Sequence, residues 1–507
     1  MNKMDQIYTT DREKFRKYTS PETFEKIVSF SSVGSMWKDR AARFADIVAI
    51  EDDGKKYTFA QLEEDASYFR PLLGEGKRAA ILCPNSYEFV KAYLAVVTSG
   101  NTAVILPPQL PAEAVFGCCM KLGANELIYH PALEEKLATV KAAAPQLPLI
   151  DVTAKADSPA AVTEAKPTDP CAVMFTGGTT GRSKGALLSH RAVMEGTVNG
   201  CYGYQEVFNQ RYLLVLPLSH VFGLIRNLMS SLYTGSTLYI CRNNKDMFRD
   251  IAVFRPTILV LVPALAEMAL MLSLKFGKNM LGDDLKYIIC GAAAVSPYLI
   301  KEYYKKGVLM FAGYGLTESA NLVSGNPESI GKPESVGIPF PNQTLRVVDG
   351  ELWIKGDNMM DGYVGDPAEN EAAYEDGWFK TGDLVKIDED GFLYITGRSK
   401  EIIVLSNGEN VSPAEVEAHF NAPSFIQDSQ VFEDVLPNGN HILALEVVPR
   451  MPELKGIEGD VKEYIISELE KINKELLPYQ RVSRIEVRDT DFERTPSMKI
   501  VRYHKCK

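Results

Sequence analysis

Residues 171–190 read Cys171-Ala172-Val173-Met174-Phe175-Thr176-Gly177-Gly178-Thr179-Thr180-Gly181-Arg182-Ser183-Lys184-Gly185-Ala186-Leu187-Leu188-Ser189-His190. An apolar strand, 171–175, runs directly into a loop carrying Thr176, Gly177, Gly178, Thr179, Thr180, Gly181 and Lys184. Glycines let backbone N–H groups approach phosphate oxygens and adopt positive φ. Threonine hydroxyls add donors, and Lys184 adds a charge. The spacing is not GxxxxGK[ST], so this is not the loop of a P-loop NTPase. A glycine pair alone reads as well as a flexible surface turn. The dense Thr/Gly/Lys set behind an apolar strand reads as a phosphate loop.

Outward from this loop, short apolar runs alternate with longer amphipathic stretches. Before it, 79–82, 103–106 and 127–129 read as buried strands, and 88–97 and 131–144 as helices. After it, the strand pattern returns at 212–216, 237–241, 258–262, 287–290 and 308–311. Strands separated by helical stretches imply parallel sheets wrapped by helices. The most apolar stretch, 258–274, contains Pro263 and Glu267 and falls short of the ~20 residues of a bilayer span. It reads as a buried strand and a core helix with Pro263 near the helix start.

Near Phe340 the pattern changes. Runs 344–348 and 351–355 flank Asp349-Gly350, and 384–387 and 392–396 flank a turn with Asp390-Gly391, both hairpin signals. These short antiparallel strands predict a small β-barrel-like subdomain. Mixed α and β returns after Gly397-Arg398-Ser399-Lys400, with helices at 413–420 and 459–476. The prediction is an α/β protein with a large N-terminal domain, 1–398, and a small mobile α+β C-terminal domain, 399–507. The N-terminal domain holds two parallel-type sheets plus the β-subdomain. Its polar, weakly patterned first thirty residues read as a surface arm.

Composition narrows the function classes. Of 507 residues, 46% are hydrophobic and 24% charged, as in an ordinary globular protein able to bury a core without disulfides or metals. Eight cysteines form no CxxC pair, and the six histidines stand apart, so no zinc constellation is visible. The net charge of −11 argues against nucleic-acid binding, which needs a basic face. The N-terminus has no apolar signal core. A soluble, cytoplasmic protein with buried free thiols and no transmembrane segment is the expectation.

Three further segments carry chemistry. In Gly313-Tyr314-Gly315-Leu316-Thr317-Glu318 a tyrosine between glycines can offer its ring to a base, and Glu318 a hard oxygen to Mg²⁺. Taken alone it reads equally as a helix start capped by Thr317. In Gly377-Trp378-Phe379-Lys380-Thr381-Gly382-Asp383-Leu384 the carboxylate suits two ribose hydroxyls, although a lone Asp in a turn is commoner. In Leu216-Pro217-Leu218-Ser219-His220-Val221-Phe222-Gly223 the histidine reads as a site residue or as a satisfied core histidine.

From about Gly34 onward these segments, in this order, resemble the adenylate-forming superfamily of acyl- and aryl-CoA synthetases, firefly luciferase and stand-alone adenylation enzymes. The resemblance implies that Tyr314 stacks on adenine, Thr317 lies near the α-phosphate, Glu318 binds magnesium and Asp383 holds the ribose. Arg398 matches a second nucleotide contact, and Lys400 the hinge. Gly291 and Ala292, in Cys290-Gly291-Ala292-Ala293-Ala294, match a loop along the adenine and the acyl pocket; Cys290 and Ala294 depart from its pattern. His220 would gate the carboxylate end of that pocket. Lys499, in Arg494-Thr495-Pro496-Ser497-Met498-Lys499, would bridge the substrate carboxylate and the α-phosphate, stabilising the transition state. Gly408, in Ser406-Asn407-Gly408-Glu409, would face the site after domain rotation. Ser183, Asn407 and Met498 stand where many members carry proline, glycine and glycine.

The implied reaction has two steps. A carboxylate attacks the α-phosphorus of Mg·ATP to give acyl-adenylate and pyrophosphate. The C-terminal domain then rotates about Lys400, and coenzyme A takes the acyl group; an acyl carrier protein is the alternative acceptor. Enzymes of α-amino acids usually pair the ammonium with an aspartate after the His segment; here Val221 follows and no acid appears before Tyr239. A fatty or aryl acid is therefore expected. Arg226 is discordant in this apolar run. It reads as an arginine reaching solvent from a helix, or as the partner of a distal carboxylate of a diacid or a polar aryl substrate.

Overall fold

The structure is a computed structural model that describes residues 7–176, 184–405, 410–435, 441–457, 459–495 and 500–502. Two large sheets form its main body. The first has seven strands in the order Gly362–Tyr363, Gly185–Ser189, Pro170–Phe175, Thr102–Leu106, Arg78–Leu82, Glu126–Tyr129, Leu149–Asp151. Its last five strands run parallel. Thr102–Leu106 is buried at every position, and after Thr102 it is a continuous apolar run rather than an alternating one. The helix Tyr87–Val97 crosses over it, started by Ser86, whose Oγ accepts from the Phe89 N–H at 3.2 Å.

The second sheet has nine strands, ordered Ile338–Pro339, Ser324–Gly325, Leu309–Tyr314, Tyr287–Cys290, Ile258–Leu261, Arg211–Leu214, Thr237–Ile240, Val48–Asp52, Lys55–Thr58. Its six central strands are parallel. The run 258–274 resolves as expected into a buried strand and the helix Pro263–Phe276. Pro263 opens that helix, and Gly277 ends it in the left-handed region at φ 62°. The stretch 131–144 divides into a 3₁₀ turn, Pro131–Lys136, and a short α-helix, Leu137–Ala143.

The third sheet is antiparallel and open. Ile7–Thr9 pairs with Gln343–Val348, then follow Glu351–Gly356 and the long strand Trp378–Ile387, which carries both Tyr374–Glu375 and Leu393–Arg398. The expected barrel-like subdomain is therefore not closed: among the described residues its edge strands do not pair with each other. The N-terminal segment is not a surface arm either. Phe15, Phe24 and Ile27 are each 1% exposed, and Phe15 stacks on Phe340 with ring centroids 5.3 Å apart. Three apolar residues spread over thirteen positions make no local period, and their burial depends on partners more than 170 residues away.

Residues after 400 enclose a core of their own. The helices Pro413–Phe420 and Val461–Glu475 cover the three-stranded sheet Ile426–Val435, His441–Pro449, Arg484–Val487 through Val416, Phe420, Leu445, Val447, Ile465 and Leu469. Six described cysteines are buried, Cys118 is half-buried, and all seven are free.

Candidate active site

The carboxyl ends of the parallel strands face one crevice, the position where open α/β sheets hold ligands. From the nine-stranded sheet, Leu309–Tyr314 delivers Tyr314 and the turn Thr317–Ser319, and Tyr287–Cys290 delivers Gly291 and Ala292. The antiparallel sheet adds Asp383 and Arg398, paired across the ladder between its long strand and Leu393–Arg398. Tyr314 donates its hydroxyl to Asp383 Oδ2 at 2.6 Å, and Arg398 Nε donates to Oδ1 at 2.7 Å. The Asp383 N–H donates to Thr381 Oγ1 at 3.0 Å, which orients the turn. Asp383 is 3% exposed, and each of its oxygens keeps a further lone pair for a hydroxyl. Burial first, and the Asp383 charge second, push the Tyr314 hydroxyl well above its ordinary pKa. It therefore stays a neutral donor.

A second polar row begins at the phosphate loop. The Thr176 N–H donates to the Lys184 carbonyl at 2.9 Å, so the loop leaves and re-enters the sheet at one point. Lys184 Nζ pairs with Glu369 Oε2 at 2.5 Å and lies 4.8 Å from the Tyr363 ring centroid. Lys184, and more weakly Lys400, hold the Glu369 carboxyl below its usual pKa range. Tyr363 donates its hydroxyl to Glu318 Oε1 at 2.7 Å. The segment 360–364 joins the two sheets: Met360 N–H donates to the Glu318 carbonyl at 2.8 Å and Val364 N–H to the Gly185 carbonyl at 2.9 Å. Thr317 is buried beside Glu318. Lys400 sits in the exposed turn Ser399–Glu401.

The acyl side is held by tight backbone approaches. The His220 N–H donates to the Pro217 carbonyl at 3.1 Å, and His220 Nδ1 accepts from the Phe222 N–H at 3.2 Å. Asn85 grips both sides of the preceding turn, donating to the Leu216 carbonyl at 2.8 Å and accepting from the Leu218 N–H at 2.9 Å. A Cβ on Gly315 would stand 1.5 Å from the Asn321 carbonyl oxygen, so only glycine lets the chain turn back under Tyr314. Ala292 adopts φ 66°, left-handed for a non-glycine residue, a conformation that costs ~1–2 kcal/mol and is concentrated at functional sites.

An apolar cavity is lined by Phe15, Tyr202, Ile289, Phe311 and Phe340, with Arg226 in its wall. Arg226 does not reach solvent: it is 1% exposed, on the π-helical segment Phe222–Met229. The segment packs on all sides within the main core, which an apolar run with one arginine does not reveal locally.

The predicted residues Gly177, Gly178, Thr179, Thr180, Gly181, Gly408 and Lys499 lie outside the described residues. The remaining predicted residues sit on the crevice elements just described. Sequence reasoning missed Asn85, Tyr363 and Glu369. Tyr363 and Glu369 have no local signal; the Asp361-Gly362 turn before them is the one trace. Among the described residues no cluster of three or more His, Cys, Asp or Glu side chains forms a metal site. A single carboxylate, Glu318, fits an Mg²⁺ that arrives on nucleotide phosphates, because Mg²⁺ is commonly held by one or two carboxylates plus substrate phosphates.

Fold and site together define a mononucleotide-binding α/β enzyme with one polar row of Lys184, Tyr363 and Glu318 and a second of Tyr314, Asp383 and Arg398. The pattern of the AMP-binding enzyme family matches residues 37–364, and that of the AMP-binding enzyme C-terminal domain matches 400–507. The chain belongs to this family of adenylate-forming enzymes. It is 34% identical to the 4-coumarate–CoA ligase-like 6 protein of Arabidopsis thaliana, over 66% of this chain and 62% of that one, less than two thirds of the relative's length. It is 30% identical to the long-chain-fatty-acid–CoA ligase FadD15 of Mycobacterium bovis, over 71% and 72% of the two chains. The anthranilate CoA ligase AuaEII, solved with anthranoyl-AMP, superposes with a TM-score of 0.81 at 20% identity, over 93% of this chain and 96% of that one, a likeness of fold. Among the described residues no helix is long and apolar enough to cross a membrane.

Proposed function

We propose that this protein activates an aryl or fatty carboxylic acid with Mg·ATP and passes the acyl group to coenzyme A. The observation that carries the reading is the convergence of Tyr314, Asp383 and Arg398 beside the Lys184–Tyr363–Glu318 row. One set suits adenosine, the other phosphates. Tyr314 would stack on the base, Asp383 would accept from the ribose hydroxyls, and Arg398 would hold Asp383 aimed. Thr176, Gly177, Gly178, Thr179, Thr180, Gly181 and Lys184 would bind the phosphates. Lys184 would exchange Glu369 for phosphate oxygens. Magnesium, when bound with ATP, would neutralise phosphate charge, and Glu318 would be its protein ligand.

The substrate carboxylate oxygen attacks the α-phosphorus, and the bond to pyrophosphate breaks. Thr317 and Lys499 would stabilise the charge that develops on the α-phosphoryl oxygens. His220 would close the carboxylate end of the acyl pocket, beside Gly291 and Ala292. Residues 399–507 would then rotate about Lys400, withdrawing Lys499 and bringing in Gly408. The thiol attacks the acyl carbonyl, and AMP leaves. Coenzyme A as acceptor is supported by relatives named as CoA ligases; nothing here favours a carrier protein.

The test is carboxylate-dependent ATP–pyrophosphate exchange without a thiol, across fatty, aryl, dicarboxylic and amino acids. Exchange with fatty, aryl or dicarboxylic acids, followed by CoA-dependent AMP release, is the expected result. Folded protein that binds ATP yet exchanges with no acid would overturn the reading.

A further inference from the structure

Arg226 is a permanent cation inside the protein. It is 1% exposed, and an arginine is not deprotonated in proteins. Buried charges are normally paired, because an uncompensated one costs several kcal/mol. Among the described residues no carboxylate lies within ion-pair distance of Arg226. Nη2 donates to the Tyr204 hydroxyl at 3.1 Å, and the guanidinium lies 5.6 Å from that ring's centroid. Nη1 has no hydrogen-bond partner among the described residues. The Tyr212 hydroxyl is likewise buried and lies close to the Arg226 guanidinium. Neutral phenols therefore surround a charge that has no counter-anion among the described residues.

The position is built. A Cβ on Gly200 would stand 3.2 Å from Arg226 Cδ and Nε, so the glycine leaves room for the guanidinium stem. Arg226 follows Phe222 by four residues on a π-helical segment, a form frequent at functional sites. The Phe222 ring reaches within 3.5 Å of where a Cβ on Gly291 would stand, and Arg226 lines the cavity with Phe311, Ala312 and Gly313. Strand Leu309–Tyr314 thus runs from the adenosine-side Tyr314 to Phe311, which lines the same cavity as the arginine, in three steps, about 10 Å at ~3.3 Å per residue.

Resting on the adenylation reading above, we propose that Arg226 receives a second carboxylate at the far end of the acid, so that the preferred substrate is a dicarboxylic or carboxylated aryl acid. The carboxylate near Tyr314 is activated; the distal one sits on Nη1, with Tyr204 and Tyr212 as hydroxyl donors. A monocarboxylic acid of equal length leaves Arg226 unpaired and puts apolar carbon against it.

The experiment compares kcat/KM in ATP–pyrophosphate exchange for adipate, suberate and homophthalate against their monomethyl esters and monoacids of equal length. Wild-type protein is expected to favour the diacids by about 100-fold, the scale of a buried hydrogen-bonded charge pair. In Arg226→Met that ratio is expected to fall to near one, chiefly through KM for the diacid, while Arg226→Lys keeps part of it. Monoacids equal to or better than diacids in the wild type would overturn the assignment, whether or not the variants fold. A folded Arg226→Met that keeps the diacid preference would overturn it too. No exchange with any acid would overturn the adenylation reading and this inference with it.

Discussion

The contact between the large body and the C-terminal residues contains a buried ion pair whose removal has a calculable effect. Arg450 is fully buried, and its Nε and Nη2 donate to Glu267 Oε1 and Oε2 at 2.5 and 3.0 Å. Its guanidinium lies 4.0 Å from the Tyr298 ring centroid, and the Tyr298 hydroxyl donates to Glu453 at 2.6 Å. Glu267 sits on Pro263–Phe276 in the main body, while Arg450 follows His441–Pro449 in the other core. Glu267→Ala leaves a buried guanidinium that cannot shed its proton, so the loss is ~3–5 kcal/mol. At about 1.4 kcal/mol per decade, that is about two to three and a half decades in the population of this domain arrangement. Arg450→Met is milder. Burial already pushes the Glu267 pKa up against the opposing effect of Arg450, so the orphaned acid can take a proton. The double variant removes both charges and is expected to recover most of the loss. Limited proteolysis near residue 400, interdomain distance by fluorescence transfer, and the rates of both half-reactions read the effect. Glu267→Ala should accelerate cleavage and change the ratio of the half-reaction rates. Unchanged proteolysis and unchanged ratio, or a double variant as damaged as the sum of the singles, would refute the reasoning.

His190 is 1% exposed, accepts from the Val33 N–H at Nδ1, and is held down to about 4 by burial, with Asp169 opposing weakly. Its folded pKa lies below its unfolded value of 6.5, so the unfolded chain takes up the proton first. The stability is present above pH 6.5 and is lost as pH falls to about 4, by about 3 kcal/mol. Urea unfolding at pH 7 and 5 should show a smaller drop in His190→Gln than in the wild type, and equal drops would discard the assignment. Asp383→Asn removes the charge shared by Tyr314 and Arg398 and should weaken ATP binding by at least about tenfold; calorimetry showing wild-type affinity would contradict the ribose role. Gly315→Ala drives a Cβ to 1.5 Å from the Asn321 oxygen, whereas Gly54→Ala meets nothing within 4 Å. The first should cost more than ~2 kcal/mol and the second ~1 kcal/mol from its positive φ, and equal melting temperatures would rule out the steric account.

Most strands are legible in the chain because their signals are local. A buried parallel strand must be apolar at successive positions, as Tyr287–Cys290 is, and Pro263 and Gly277 mark helix ends by their own backbone restrictions. The motifs around Tyr314, Asp383 and Arg398 are visible for the same reason: each is a short segment of distinctive residue types. What connects them is not visible. Tyr363 and Glu369 acquire roles because Gly362–Tyr363 pairs with Gly185–Ser189, a register across more than 170 residues. Asn85 acquires its role by reaching a turn 131 residues away.

The sequence by itself determined the alternation of strands and helices, the order of the nucleotide motifs, and hence the family. These follow from side-chain period and backbone preference, which act over a few residues. Only the tertiary structure decided that the antiparallel sheet stays open, that the N-terminal segment packs into the core, and that Arg226 is enclosed with no carboxylate beside it among the described residues. Each depends on which distant surfaces meet. Burial and charge compensation are properties of that meeting, and no window of the chain contains both sides of it.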